Sequence, residues 1–158
     1  MFKHFEPLLP AKPNVFDDAS SGKEDSDPAA GLLPSHSSVL ASLSARVGSI
    51  ADNGRGGWYS YRSSKAALNQ ITRTLAHELK MRNRPALAAA LHPGTVRSSL
   101  SEAFTGGPGG GDKKGKDDKA KGEFETWETA EHLMRVLQKL GKEDNGVFRD
   151  WAGKDIPW

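Results

Sequence analysis

The stretch LSARVGSIADNGRGGWYSYRSSKAALNQITRTLAHEL, residues 43–79, decides the fold. Its second half carries Ala67, Leu68, Ile71, Leu75 and Leu79 at three- and four-residue steps. That spacing stacks apolar side chains on one face of a helix, so a helix is expected over residues 58–81. Lys80 and Arg82 suit the negative end of the helix dipole, and Pro85 stops the helix. The first half is a glycine-rich turn over residues 48–57. A short strand is expected before it, at residues 38–44, with Val39, Leu40 and Leu43 as its apolar content.

Beyond the helix, residues 86–91 form a compact apolar run with proline on both sides, the length and composition of a buried parallel strand. Residues 126–140 repeat the helical pattern through Ala130, Leu133, Met134, Leu137 and Leu140. Thr126 is the expected N-cap and Gly141 the expected C′ residue. A last strand is expected at residues 147–151. The order strand, helix, strand, helix, strand implies an α/β unit with a parallel sheet and right-handed crossovers. Residues 1–9 read as the end of an amphipathic helix, with Phe2, Phe5, Leu8 and Leu9 at helical spacing and Pro10 after them.

Two polar stretches interrupt this pattern. Residues 11–37 combine prolines with a Ser/Asp/Glu/Lys cluster, and residues 106–122 are GGPGGGDKKGKDDKAKG. Both are expected to be disordered or flexible insertions within a single domain. They lower the apolar fraction to 36% over the 158 residues, against about 45–50% for typical domains on a count that includes glycine. In the second stretch three aspartates dilute five lysines, which argues against a nucleic-acid tail. The formal net charge of +2 likewise suggests no nucleic-acid or anionic-membrane partner. With no cysteine, disulfide and thiol chemistry are excluded. The five histidines form no ligand pair, so no metal is expected. The longest apolar run is far too short to span a bilayer, and the N-terminus lacks a signal pattern. The cytoplasm is the expected compartment.

The chemistry-bearing pair is Tyr61 and Lys65. Four residues apart on a helix, they differ by only about 40° around the axis and share a face. A phenol is a poor acid or base at neutral pH, with a reference pKa of about 10, and a nearby ammonium favours its phenolate. Such a pair can pass a proton to a carbonyl oxygen or take one from an alcohol. Taken alone, Tyr-x-x-x-Lys also describes many ordinary solvated helix faces.

Residues 43–79, followed by HPGTVRSSLS at 92–101, resemble the short-chain dehydrogenase/reductases, most of all the branch of the C-factor and sniffer-type carbonyl reductases. The likeness covers about residues 39–104 and resumes at 126–158, where DNGVFRDWAGKDIPW resembles that branch's C-terminus. It implies a partial Rossmann-like, doubly wound parallel sheet, comprising the last three strands and their helices. It implies an NAD- or NADP-dependent oxidoreductase acting on a small carbonyl or alcohol, with Tyr61 as general acid/base and Lys65 also binding the nicotinamide ribose. Tyr59 has the wrong spacing and is taken as packing or substrate wall.

The family's serine is the second of an Ile-Ser-Ser-like run, a register that falls on Ala45. Ser44 lies one residue earlier, a shift that turns a strand side chain to the other face. Ser49 lies twelve residues before Tyr61, close to the family's common spacing. Either serine could supply the hydroxyl, with Ser44 slightly favoured, and either could be an ordinary loop serine. The likeness places backbone groups of Pro93, Gly94, Thr95 and Val96 at the nicotinamide carboxamide, and Ser98 near the cofactor phosphates. Without it, Pro93-Gly94 is a plain turn.

The family's opening strand, glycine-rich turn and pyrophosphate-binding helix have no counterpart in the sequence. Nor does its Asn-Asn-Ala-Gly motif. By that resemblance the chain is expected to be a truncated form without the N-terminal cofactor-binding βαβ unit. It is expected to leave one sheet edge open and to be marginally stable alone. The alternative to an enzyme is a catalytically silent fragment acting as an interaction module. In the family, the helix bearing the Tyr/Lys pair commonly contributes to a dimer, so a homo- or hetero-dimer through the Tyr61 helix is the partner implied.

Overall fold

The computed structural model describes residues 6–9, 38–102 and 123–158. The two expected insertions, 11–37 and 106–122, lie outside the described residues, as do Phe2 and Phe5. In chain order the elements are strand β1 (Ser38–Leu43), helix α1 (Tyr59–Met81), strands β2 (Ala86–His92), β3 (Thr95–Val96) and β4 (Glu123–Phe124), helix α2 (Thr126–Gln138) and strand β5 (Val147–Asp150).

β2 is central. It pairs in parallel with β1 on one side (Leu43 opposite Leu91) and with β5 on the other (His92 opposite Asp150), giving the order β1-β2-β5. Side chains alternate across a strand, and β2 feeds two cores. Ala86 and Ala88 pack with Leu75, Ala76 and Leu79 of α1. Leu87 and Ala89 pack on the other side with Leu137 and Leu140 at the end of α2. With a helix on each face, the continuous apolar run of residues 86–91 is explained, and the partial Rossmann-like α/β class follows. Among the described residues β1 pairs only with β2, so its second edge is open.

Four expectations need correction. A second, two-stranded parallel sheet joins β3 to β4, in addition to the three strands read from the sequence. Its strands are two residues each, too short to give an alternation pattern. The N-cap of α2 is Glu125, not Thr126: the Glu125 backbone N–H donates to the Glu128 carboxylate at 2.9 Å in a reciprocal capping box. A carboxylate at that end also complements the helix dipole. α2 ends at Gln138, and Gly141 adopts φ −113°, outside the left-handed region a C′ glycine serves. Leu140 reaches the core from beyond the helix. The last strand ends at Asp150, whose carboxylate accepts the Ala152 and Lys154 backbone N–H groups at 2.9 Å each and turns the chain. No helix among the described residues is long and apolar enough to cross a membrane.

Candidate active site

The carboxyl ends of parallel strands are where open α/β sheets bind ligands. β1 ends at Leu43 and β2 at His92, side by side, and the loop after β1 leads into the first turns of α1. Tyr61 and Lys65 stand there. The Lys65 ammonium lies 5.9 Å from the centre of the Tyr61 ring and donates to the Leu43 carbonyl at 2.8 Å. The Tyr61 side chain is open to solvent, at 45% of full exposure. The pair therefore shares one helix face beside the strand ends.

Two features that sequence reasoning passed over seat this helix. Gly48 lies directly on it: a Cβ there would meet the Lys65 carbonyl carbon and Cβ at 2.7 Å each. Neither atom is the far end of a flexible side chain. Gly48→Ala is therefore expected to push α1 off the loop and destabilise the chain by about 1–3 kcal/mol. A urea midpoint equal to the parent's would refute the contact. The second feature is Arg62, whose guanidinium donates to the Gly56 carbonyl at 3.2 and 3.0 Å, to Gly57 at 3.0 Å and to Val47 at 3.1 Å. A fork of five donors suits such a set of carbonyls. The turn it holds enters α1 through Trp58 in the left-handed region, φ 48°, a conformation that costs a non-glycine residue about 1–3 kcal/mol.

The two candidate serines lie in different surroundings. Ser44 is buried and donates to Asn69 Oδ1 at 2.5 Å. Asn69 sits one turn beyond Lys65 on α1, and its Nδ2 is buried without a partner among the described residues. Ser49 is buried too, donates to the Pro157 carbonyl at 2.5 Å and accepts from the Asp52 backbone N–H at 3.0 Å. Neither hydroxyl bonds to the Tyr61 phenol. Ala45, at the register position, has no hydroxyl to offer. Asn69 carried no sequence signal beyond its four-residue step from Lys65.

After β2 the chain turns at Pro93-Gly94, with Gly94 at φ 80°, where a side chain would be strained. Thr95 is exposed and Val96 half-buried in β3, which pairs with β4. Ser98 caps the short turn Ser99–Ser101: its hydroxyl accepts from the Ser101 backbone, and its own N–H donates to Ser101 Oγ at 3.1 Å. In this structure its hydroxyl thus serves as a cap.

His92, just before this turn, has its pKa pushed down to about 4. Burial is the main cause and the Arg46 charge adds to it, with Asp150 opposing. Its Nδ1 is buried without a partner among the described residues. Protonation is thus disfavoured in the fold relative to the unfolded chain, whose histidines titrate near 6.5. Between those values the unfolded state binds more protons, so stability is full above pH 6.5 and is lost as pH falls toward 4. The expected loss is up to about 3 kcal/mol. Urea midpoints at pH 7 and pH 4.5 should differ less in His92→Gln than in the parent; equal differences would refute this.

The donor chemistry here fits the nicotinamide–ribose end of a dinucleotide. Lys65 uses one of its three protons on Leu43 and has two more to offer. The turn at residues 93–96 brings main-chain groups to the same edge. The glycine-rich turn between β1 and α1 is taken up by the Arg62 guanidinium.

No protein-family profile matches the chain. It is similar to the C-signal protein of Myxococcus xanthus, 34% identical over 119 residues, covering 75% of this chain and 60% of the relative. It is also similar to the carbonyl reductase Sniffer of D. melanogaster, with TM-score 0.59 and 28% identity over 76% of this chain and 41% of that one. A Burkholderia multivorans protein assigned as a short-chain dehydrogenase/reductase, solved with NADP bound, gives TM-score 0.54 and 28% identity over 76% and 44%. The chain spans about half the length of the curated relatives it matches.

Proposed function

Because this chain belongs to the short-chain dehydrogenase/reductase family, we propose that it is the proton-transfer part of an NAD(P)-dependent oxidoreductase that interconverts a small carbonyl compound and its alcohol. The observation that carries this reading is the Lys65 ammonium held over the Tyr61 ring at the strand ends, 5.9 Å from its centre. Lys65 and the backbone of residues 94–96 would hold the nicotinamide riboside. A bound nicotinamide cofactor supplies or accepts the hydride. Tyr61 gives its phenolic proton to the developing alkoxide oxygen on reduction, and takes it from the alcohol on oxidation. Lys65 stabilises the phenolate left behind. Ser44, held by Asn69, and Ser49 are the two candidates beyond the strand end for the hydroxyl that meets the substrate oxygen. Ser98 contributes through the turn it caps.

The test is NADPH- and NADH-dependent reduction of a carbonyl panel, comparing parent with Tyr61→Phe. Turnover that survives the substitution would overturn the assignment. With no pyrophosphate cradle in the sequence, NADPH titrated into the purified chain is expected to bind weakly, with a dissociation constant above the micromolar range. Micromolar binding would show that other residues replace the cradle.

A second reading, pairing of α1 with another chain, draws on the exposure of Ile71 and Met81 along that helix. It predicts a dimer in sedimentation that persists in Tyr61→Phe.

A further inference from the structure

The loop after β1 is gripped from two sides. On its inner side Gly48 bears on Lys65, and the Val47 carbonyl accepts from Arg62 at 3.1 Å. On its outer side it meets the last residues of the chain. Ser49 Oγ donates to the Pro157 carbonyl at 2.5 Å, and the Ala51 N–H donates to the Trp158 carbonyl at 3.2 Å. Arg46 bridges Asp150 at 3.1 Å and Asp52 at 3.2 Å, tying the loop to the end of β5 as well. The tail that supplies those carbonyls is itself anchored. Ile156 is buried and its N–H donates to Phe148 at 2.8 Å. The Trp158 ring lies 5.4 Å from the Phe148 ring, and the Arg73 guanidinium of α1 stands 5.9 Å from its centre.

We propose that residues 156–158 are a strap that positions the Tyr61–Lys65 pair by holding residues 46–52 against α1, and that Ser49 is a positioning residue rather than the substrate's hydroxyl. This rests on the reading of Tyr61 and Lys65 given above. Val47, Gly48 and Ser49 link strap and helix, and each makes one of the contacts just named. A hydroxyl has one proton to donate. That of Ser49 is committed to Pro157, and its oxygen already accepts from Asp52. At 2% exposure it presents nothing to a substrate. Release of the strap removes the outer support that keeps Gly48 on Lys65.

Two variants test this in the chain without cofactor or substrate: Ser49→Ala, and deletion of Pro157 and Trp158. Amide hydrogen exchange over residues 46–57 is expected to quicken about ten-fold, the factor that follows from losing one hydrogen bond of ordinary strength. Exchange in β2 should stay at the parent rate. The chain has two tyrosines, so in a Tyr59→Phe background the ring-carbon resonance of Tyr61 is read alone, and it should move in both variants. Unchanged exchange over residues 46–57, an unmoved Tyr61 resonance, or quickening spread equally through β2 would each overturn the strap. If the deletion unfolds the chain, Ser49→Ala alone decides. Turnover that survived Tyr61→Phe would sink the reading of Tyr61 but leave these measurements, and the strap, standing.

Discussion

Replacing Tyr61 by phenylalanine is expected to cut turnover by about 10²–10⁴-fold while leaving stability unchanged, the range that loss of a positioned general acid gives. The two halves of this expectation have separate grounds. The ring is 45% exposed, and the phenol oxygen has no hydrogen-bond partner among the described residues, so its removal opens no cavity and strands no buried group. The ring on which Lys65 rests is kept. What is removed is the phenolic proton of the ring that faces Lys65. Rates of cofactor oxidation at the highest soluble NADPH concentration, with urea midpoints of both proteins, are the measurements. A rate within a few-fold of the parent would place the proton donor elsewhere. A matching fall in stability would mean that the phenol serves the fold.

Phe148→Ala is expected to show the opposite pattern, a loss of about 3–5 kcal/mol of stability. Phe148 is 2% exposed on β5 and packs with Ala90, Ile156 and Trp158. Ala90 contributes one methyl group and cannot move in to fill the gap. Stabilities of natural domains are about 5–15 kcal/mol in total, and among the described residues β1 is an edge strand. The substitution should therefore leave much of the chain unfolded at room temperature, by circular dichroism or urea titration. Phe148→Leu, which keeps most of the volume, should lose far less. A midpoint within about 1 kcal/mol of the parent in Phe148→Ala would mean that the core does not close over β5 in this way.

The fold was largely legible because its signals are local. The steps from Ala67 to Leu79 encode α1, the apolar run between Pro85 and Pro93 encodes β2, and the pattern ending at Leu140 encodes α2. The misread boundaries also have local causes. Glu125 with Glu128 offered a reciprocal cap one residue before Thr126, and Gly141 follows a helix that had already ended. The candidate site was legible in part for the same reason: Tyr61 and Lys65 lie one helical turn apart, and a resemblance could attach to that spacing.

The serines mark the boundary of such reading. Ser44 and Ser49 are five residues apart, and the sequence favours Ser44 only slightly. Their partners are Asn69, 25 residues on, and Pro157, 108 residues on. Spacing along the chain carries no information about which distant carbonyl or amide will claim a hydroxyl, because that follows from how sheet, helix and C-terminal tail stack. The sequence by itself determined the α/β order, the helix faces and the Tyr61/Lys65 pairing, since helical and strand periodicities act between near neighbours. Only the tertiary structure decided that Gly48 lies against Lys65, that Arg62 is held by loop carbonyls and that Ser49 belongs to the tail, because those contacts join segments that meet only when the sheet is packed.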